Sequence, residues 1–166
     1  MTKFERYEDK KLLPLQVHTS PDKHGFGDIE IYTPDNQPFE IIEIKHNVAI
    51  DKYLVFDIVK KTQNIPVNRY YILTTFVKNL SNFETEQVEK EVVDYLTKIK
   101  QALGLDIIVN GIISSLKYYL RFIDNYDEFI RIYTENLIID AESSTEVKAF
   151  HIDDWQKILQ KYGIKK

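Results

Sequence analysis

Residues 25–47 read GFGDIEIYTPDNQPFEIIEIKHN, and the folding of this stretch decides what the rest of the chain is built around. DIEIY alternates with the period of two that marks a strand. TPDNQP is a dense turn signal, because Pro34 presets its backbone and Asp35-Asn36 accept a tight reversal. FEIIEIKH is a more apolar strand, as expected in a sheet covered on both faces. The stretch therefore reads as a β-hairpin, but with charges where packing alone would favour valine: Asp28, Glu30, Glu43 and Lys45. With the turn centred near Asn36, and Thr33 opposite Pro38 or its neighbour, Asp28 lies directly across from Glu43. Side chains two apart share a face, so Glu30 accompanies Asp28 and Lys45 accompanies Glu43. A slip of one residue would send the two acids to opposite faces.

Outward from the hairpin, the order of elements is mixed α/β. Residues 3–13 read as a short polar helix or its remnant, and residues 18–27 as a turn-rich loop. Residues 50–62 carry apolar side chains at helical spacing, with Pro66 beyond their end. RYYILTTF, residues 69–76, is a β-branched and aromatic run that predicts a third, buried strand. NFETEQVEKEVVDYLTKIKQALG predicts a long helix, capped by Ser81 or Asn82, with acids in its first turn and Gly104 at its end. LDIIVNG fits either a strand or the apolar start of a helix. GIISSLKYYLRFI and DEFIRIYTENLI predict two amphipathic helices, AESSTEVK a polar loop, and DDWQKILQKYG a short terminal helix. The expectation is a three-stranded sheet with a crossover helix, followed by a largely helical C-terminal half.

Composition narrows the function classes. A chain of 166 residues is long enough for one domain with a real core. Cysteine is absent, which excludes disulfides and thiolate metal sites and suits a reducing compartment. With no secretory signal in MTKFERYEDKK and no apolar run near ~20 residues, a cytoplasmic protein without membrane association is expected. The formal charge of −4 argues against a surface wrapped in nucleic acid, though not against a local basic face.

The hairpin charges suggest chemistry. Two close carboxylates repel and need compensation. Lys45 neutralises one charge, and a hard divalent cation such as Mg²⁺ would neutralise the remainder. A glycine-preceded acid opening one strand (Gly27-Asp28), then acid-any-lysine on the next (Glu43-Ile44-Lys45), resembles the PD-(D/E)XK nuclease superfamily. Within it, the stretch looks most like the catalytic core of type II restriction endonucleases. The likeness covers roughly residues 18–76 and extends only loosely into the helical half. It departs from the common pattern in having Gly27 where many members carry proline.

The resemblance implies a restriction-endonuclease-like core sheet flanked by helices, and hydrolysis of DNA phosphodiester bonds. It implies that Asp28, Glu43 and the Ile44 backbone carbonyl hold one or two Mg²⁺ ions, with Mn²⁺ expected to substitute. Lys45 would orient or help deprotonate the attacking water and offset charge at phosphorus. An acid from an N-terminal helix, Glu5 or Glu8, would complete the site in the manner of some members. Residues 1–166 then form a single nuclease-like domain, with its core at about 18–76 and its helical half at about 81–166. The chain is either a whole subunit or the catalytic part of a larger enzyme.

The remaining candidates are weaker. His46 is expected to serve the core or support the site rather than react, and His18 and His24 lie in a loop, with His24 a candidate DNA contact. No histidine spacing suits zinc, no serine has a triad arrangement, and GFG is too short for a phosphate-binding loop. Lys60, Lys61, Lys117 and Arg121 are candidate phosphate contacts, with a solvated helix face as the alternative for each pair. Only four arginines occur, Arg6, Arg69, Arg121 and Arg131, a poor stock for reading guanine edges. That scarcity points to a separate recognition domain or subunit, and a double-strand cut calls for a homodimer or a paired nuclease subunit acting on double-stranded DNA. Tyr118, Tyr119, Tyr126 and Tyr133 are either an interface or core. The competing functions are a structure-selective repair or junction nuclease and a non-catalytic binding or assembly module on the same fold.

Overall fold

β-Branched and aromatic residues are frequent in the three strands that pair parallel, β3 (Pro38–Lys45), β4 (Arg69–Thr74) and β5 (Asp106–Gly111). The computed structural model describes residues 5–12, 25–143 and 147–164. These strands join β1 (Lys11–Leu12) and β2 (Ile29–Tyr32) in a five-stranded sheet of order β1-β2-β3-β4-β5. β1, β2 and β3 pair antiparallel, whereas β3, β4 and β5 pair parallel. Two parallel steps require two crossovers. These are helix α1 (Lys52–Thr62) and helix α2 (Glu86–Leu103). LDIIVNG is thus a strand, and the expected three-stranded sheet has five.

One face of the sheet packs against both crossover helices. Ile41, Tyr70, Ile72 and Ile107 from the strands meet Val55 and Ile58 of α1 and Val92 and Ile99 of α2 in the main core. α1 starts at Asp51, whose carboxylate accepts the Leu54 N–H at 2.8 Å. α2 is capped by Thr85, which accepts from Val88, and it ends at left-handed Gly104. Ser81 and Asn82 are therefore not its cap. The Ser81 hydroxyl donates to Glu89, and Asn82 donates its side-chain amide to the Phe76 carbonyl.

The hairpin register depends on an irregularity. The turn pairs Thr33 with Gln37, one residue short of Pro38, through Thr33 N–H to Gln37 carbonyl at 2.9 Å. Asn36 takes the left-handed conformation that closes it (φ 61°). Tyr32 then faces Pro38, but Ile31 faces Glu40, so Phe39 is an extra residue in β3. Past this bulge Ile29 faces Ile42, and continuing the ladder by one residue sets Asp28 across from Glu43.

The other face of β3 carries Glu40, which is completely buried. Arg6 pairs with its Oε1, Arg69 donates to the same oxygen at 3.0 Å, and the Tyr7 hydroxyl donates to Oε2 at 2.6 Å. This explains why residues 5–12 hold a single 3-10 turn and a short strand rather than a helix. Arg6 and Tyr7 are drawn onto Glu40 in a single 3-10 turn, Glu5–Tyr7, and Lys11 and Leu12 then pair with Tyr32 and Ile31.

The chain divides into two compact units, 1–117 and 118–166. α2 and β5, expected in the helical half, belong to the first. Helix α3 (Ile112–Leu120) follows β5 directly and contains the boundary. The second unit holds α4 (Tyr126–Ser143) and α5 (Ala149–Lys161), joined through Tyr133 and Trp155 rings 4.8 Å apart. α5 begins four residues before the expected Asp153, and α4 runs into the expected polar loop at 141–148. Among the described residues no helix is long and apolar enough to cross a membrane.

Glu40→Ala would leave two guanidinium groups facing each other without their acid. We expect it to cost about 3 kcal/mol, the low end for a broken buried pair because both arginines are partly exposed. A shift of the urea midpoint measures this, and a change under about 1 kcal/mol would mean that Glu40 does not hold the N-terminal turn.

Candidate functional site

The parallel register carries β3 past the start of β2, so the end of β3 emerges beside the bend that precedes β2. Gly27 sits in that bend because no side chain fits: a Cβ there would lie 2.5 Å from Ile41 Cγ2 and 2.9 Å from the Ile42 carbonyl oxygen. Asp28 follows at once, and its Oδ2 accepts the Ile44 N–H at 2.6 Å. N–H and C=O of one strand residue face the same edge, so the Ile44 carbonyl also turns toward Asp28.

Glu43 is 7% exposed and lies on the helix-covered face, beside Ile72 of β4. Both of its oxygens are engaged. Lys45 Nζ pairs with Oε1, Lys61 Nζ at the end of α1 lies 3.7 Å from the same oxygen, and the Tyr70 hydroxyl lies 3.2 Å from Oε2. Two ammonium groups thus face Glu43, while Asp28 is held by the Ile44 N–H.

Glu30 has a different task. Its Oε1 accepts the Phe26 and Gly27 N–H groups at 2.5 and 3.4 Å, and its Oε2 accepts the Tyr32 hydroxyl at 2.8 Å. The carboxylate therefore stitches the bend that carries Asp28. Burial, together with the Glu30 carboxylate, raises the Tyr32 phenol to about 12. Tyr70 is raised as well, by burial first and then by Glu43, Asp28 and Glu30, so it stays protonated as a donor.

The structure brings Asp28, Glu43, Lys45 and Lys61 together, and leaves other candidates apart. Glu8 is exposed and follows Tyr7, which sits on the Glu40 face of β3, opposite Glu43. The Glu5 side chain, His18 and His24 lie outside the described residues. His46 is not in the core: β3 ends at Lys45, and the exposed His46 places Nδ1 3.2 Å from Thr75 Oγ1. Lys60, Lys117 and Arg121 are exposed, as are Tyr118, Tyr119, Tyr126 and Tyr133, which therefore do not form core. A cavity of about 640 Å³ lies between α4 and α5 and is lined by none of these site residues.

Among the described residues no three His, Cys, Asp or Glu side chains gather closely enough to hold a metal ion. The donors at this sheet end are two carboxylates and a main-chain carbonyl, all hard oxygens. That set suits Mg²⁺, which uses one or two carboxylates and fills its other positions with water and phosphate oxygens. Glu43 would have to exchange at least one ammonium contact for the ion.

Tyr70 and Glu30 escaped the sequence reading as supporting residues, and Lys61 as a direct partner of Glu43. Lys61 lies three residues after core Ile58, on the same helical stripe, and that spacing is the signal that would have found it. No protein-family model matches the chain, and no curated protein matches it.

The Tyr32 shift has a testable sign. A folded-state value raised above the unfolded one stabilises fully below about pH 10, and that contribution fades as pH rises toward 12. The stability advantage of the natural protein over Tyr32→Phe should therefore shrink between pH 9.5 and 11.5 in urea titrations. An advantage that is constant across that range would contradict the Tyr32–Glu30 bond.

Proposed function

We propose that the chain is a Mg²⁺-dependent endonuclease of the type II restriction kind, hydrolysing phosphodiester bonds of double-stranded DNA. The observation that carries this reading is the convergence of Asp28 with Glu43, Ile44 and Lys45 at one sheet end, with Lys61 alongside. Asp28, Glu43 and the Ile44 carbonyl hold the ion. Bound there, Mg²⁺ acidifies water and withdraws charge from the phosphoryl oxygens. Lys45 orients the attacking water through its ammonium hydrogens and offsets the negative charge that builds at phosphorus.

The arginine inventory supports a division of labour between cutting and reading. Arg6 and Arg69 are committed to Glu40, and Arg131 donates to both oxygens of Glu135. Base recognition therefore falls to a partner domain or subunit, and a second copy or a second nuclease subunit supplies the cut in the other strand.

A second reading draws on the saturation of Glu43 by Lys45, Lys61 and Tyr70. A carboxylate so fully paired also suits a binding or assembly module that never takes an ion.

Plasmid, short duplex and branched DNA incubated with Mg²⁺ separate these readings. Cleavage of plasmid or duplex is expected, with Lys45→Ala and Asp28→Asn each lowering the rate about 10²–10³-fold. Cutting that persists in Lys45→Ala sinks the site. Cutting confined to branched DNA favours a junction nuclease, and no metal-dependent cutting of any substrate favours the module.

A further inference from the structure

Tyr70 is fully buried, yet its hydroxyl stands at the sheet end between two segments distant in the chain. It lies 2.7 Å from the Phe26 carbonyl oxygen and 3.2 Å from Glu43 Oε2. A phenol has one hydrogen to donate, so the two acceptors share it. Phe26 belongs to the bend that carries Asp28, and Glu43 belongs to β3.

We propose that Tyr70 is a positioning residue of the candidate site, whose hydroxyl bridges the Asp28 bend to the Glu43 carboxylate and so sets the separation of the two acids. The catalytic consequence rests on the nuclease reading, whereas the bridge itself does not.

The ring is suited to this task by its surroundings. β4 is paired on both sides, with Tyr70 between Ile41 of β3 and Ile107 of β5, and all three side chains belong to the core cluster. The phenol oxygen is therefore fixed to the sheet and has little freedom of its own. Among the described residues, Glu43 Oε1 meets the ammonium groups of two long, partly exposed lysines. Such partners follow a carboxylate rather than direct it. Its orientation is thus set from Oε2. The bend has other tethers, namely Glu30 on the Phe26 and Gly27 N–H groups and Asp28 on the Ile44 N–H. Tyr70 differs from them in holding the bend and the Glu43 carboxylate through a single atom.

Tyr70→Phe keeps the ring and removes the bridge. In metal-free protein, the Ile44 amide, protected by Asp28, should exchange its hydrogen about tenfold faster in the variant, the effect of one lost hydrogen bond. The amides of Ile72 and Ile108 should keep their rates. Unchanged protection at Ile44 overturns the bridge, and a uniform loss over all strand amides overturns it in favour of general core support. With Mn²⁺ as the probe, the free-ion resonance signal should show binding weakened about tenfold, again the scale of one hydrogen bond. On DNA, kcat should fall with KM unchanged. If the variant binds Mn²⁺ and cuts like the natural protein, the positioning role is wrong. If the natural protein neither binds Mn²⁺ nor cuts, the nuclease reading falls, and the Ile44 exchange rate still decides the bridge.

Discussion

The pairing of β2 with β3 is the constraint on which the candidate site depends. A three-residue loop ending at left-handed Asn36 closes the hairpin with Thr33 on Gln37. Continued without interruption, that ladder would set Asp28 against Ile42 and leave the two acids on opposite faces. The extra residue at Phe39 absorbs the offset before the ladder reaches the charged end. Phe39 is itself held outside the ladder, with its ring 6.2 Å from that of Tyr7 and the Arg6 guanidinium over its face. The bulge is thus anchored by the N-terminal turn.

β3 buries a glutamate on each face, and the two are stabilised differently. Glu40 is enclosed by Arg6, Arg69 and Tyr7, and the chain of charge continues from Arg69 to Asp106 and Lys100. Its partners come from the sheet and the turn that covers it, which suits a fixed structural role. Glu43 meets two long, partly exposed lysine side chains, one on β3 and one on α1, and the phenol of buried Tyr70. Lysine side chains can swing away with little loss, so Glu43 can change partners while Glu40 cannot. Burial depth alone would have ranked Glu40 as the more unusual residue.

Much of this was legible in the sequence, for reasons visible residue by residue. The strand around Glu30 shows through alternation, the one around Glu43 through an apolar run that follows a dense turn signal, and α1 through its apolar spacing. β5 stayed ambiguous because a short apolar run has no period to distinguish strand from helix. The N-terminal helix failed because its pattern was local, whereas the partner that captures Arg6 and Tyr7 lies more than thirty residues away. The sequence sets Asp28 against Glu43 with Thr33 on Pro38 or its neighbour; the structure has Thr33 on that neighbour, Gln37, and reaches the opposition through a bulge. No composition rule announces such a bulge. Tyr70 was read only as part of a buried strand, since its hydroxyl acquires meaning only when the Phe26 bend folds over it.

The pairing of Lys61 with Glu43 has a thermodynamic consequence. Each acid at this sheet end has partners within the chain: the Lys45 and Lys61 ammonium groups face Glu43, the Ile44 N–H reaches Asp28, and the Phe26 and Gly27 N–H groups with the Tyr32 hydroxyl satisfy Glu30. The fold does not wait for an ion to quench a buried repulsion, as small metal-dependent domains do. Under the nuclease proposal, ion uptake would then be an equilibrium separate from folding, and a chelator would empty the site without unfolding the sheet. The competition would move into the affinity instead: an ion arriving at Glu43 would be weighed against a lysine, so occupancy would be set by exchange of partners rather than by filling a void.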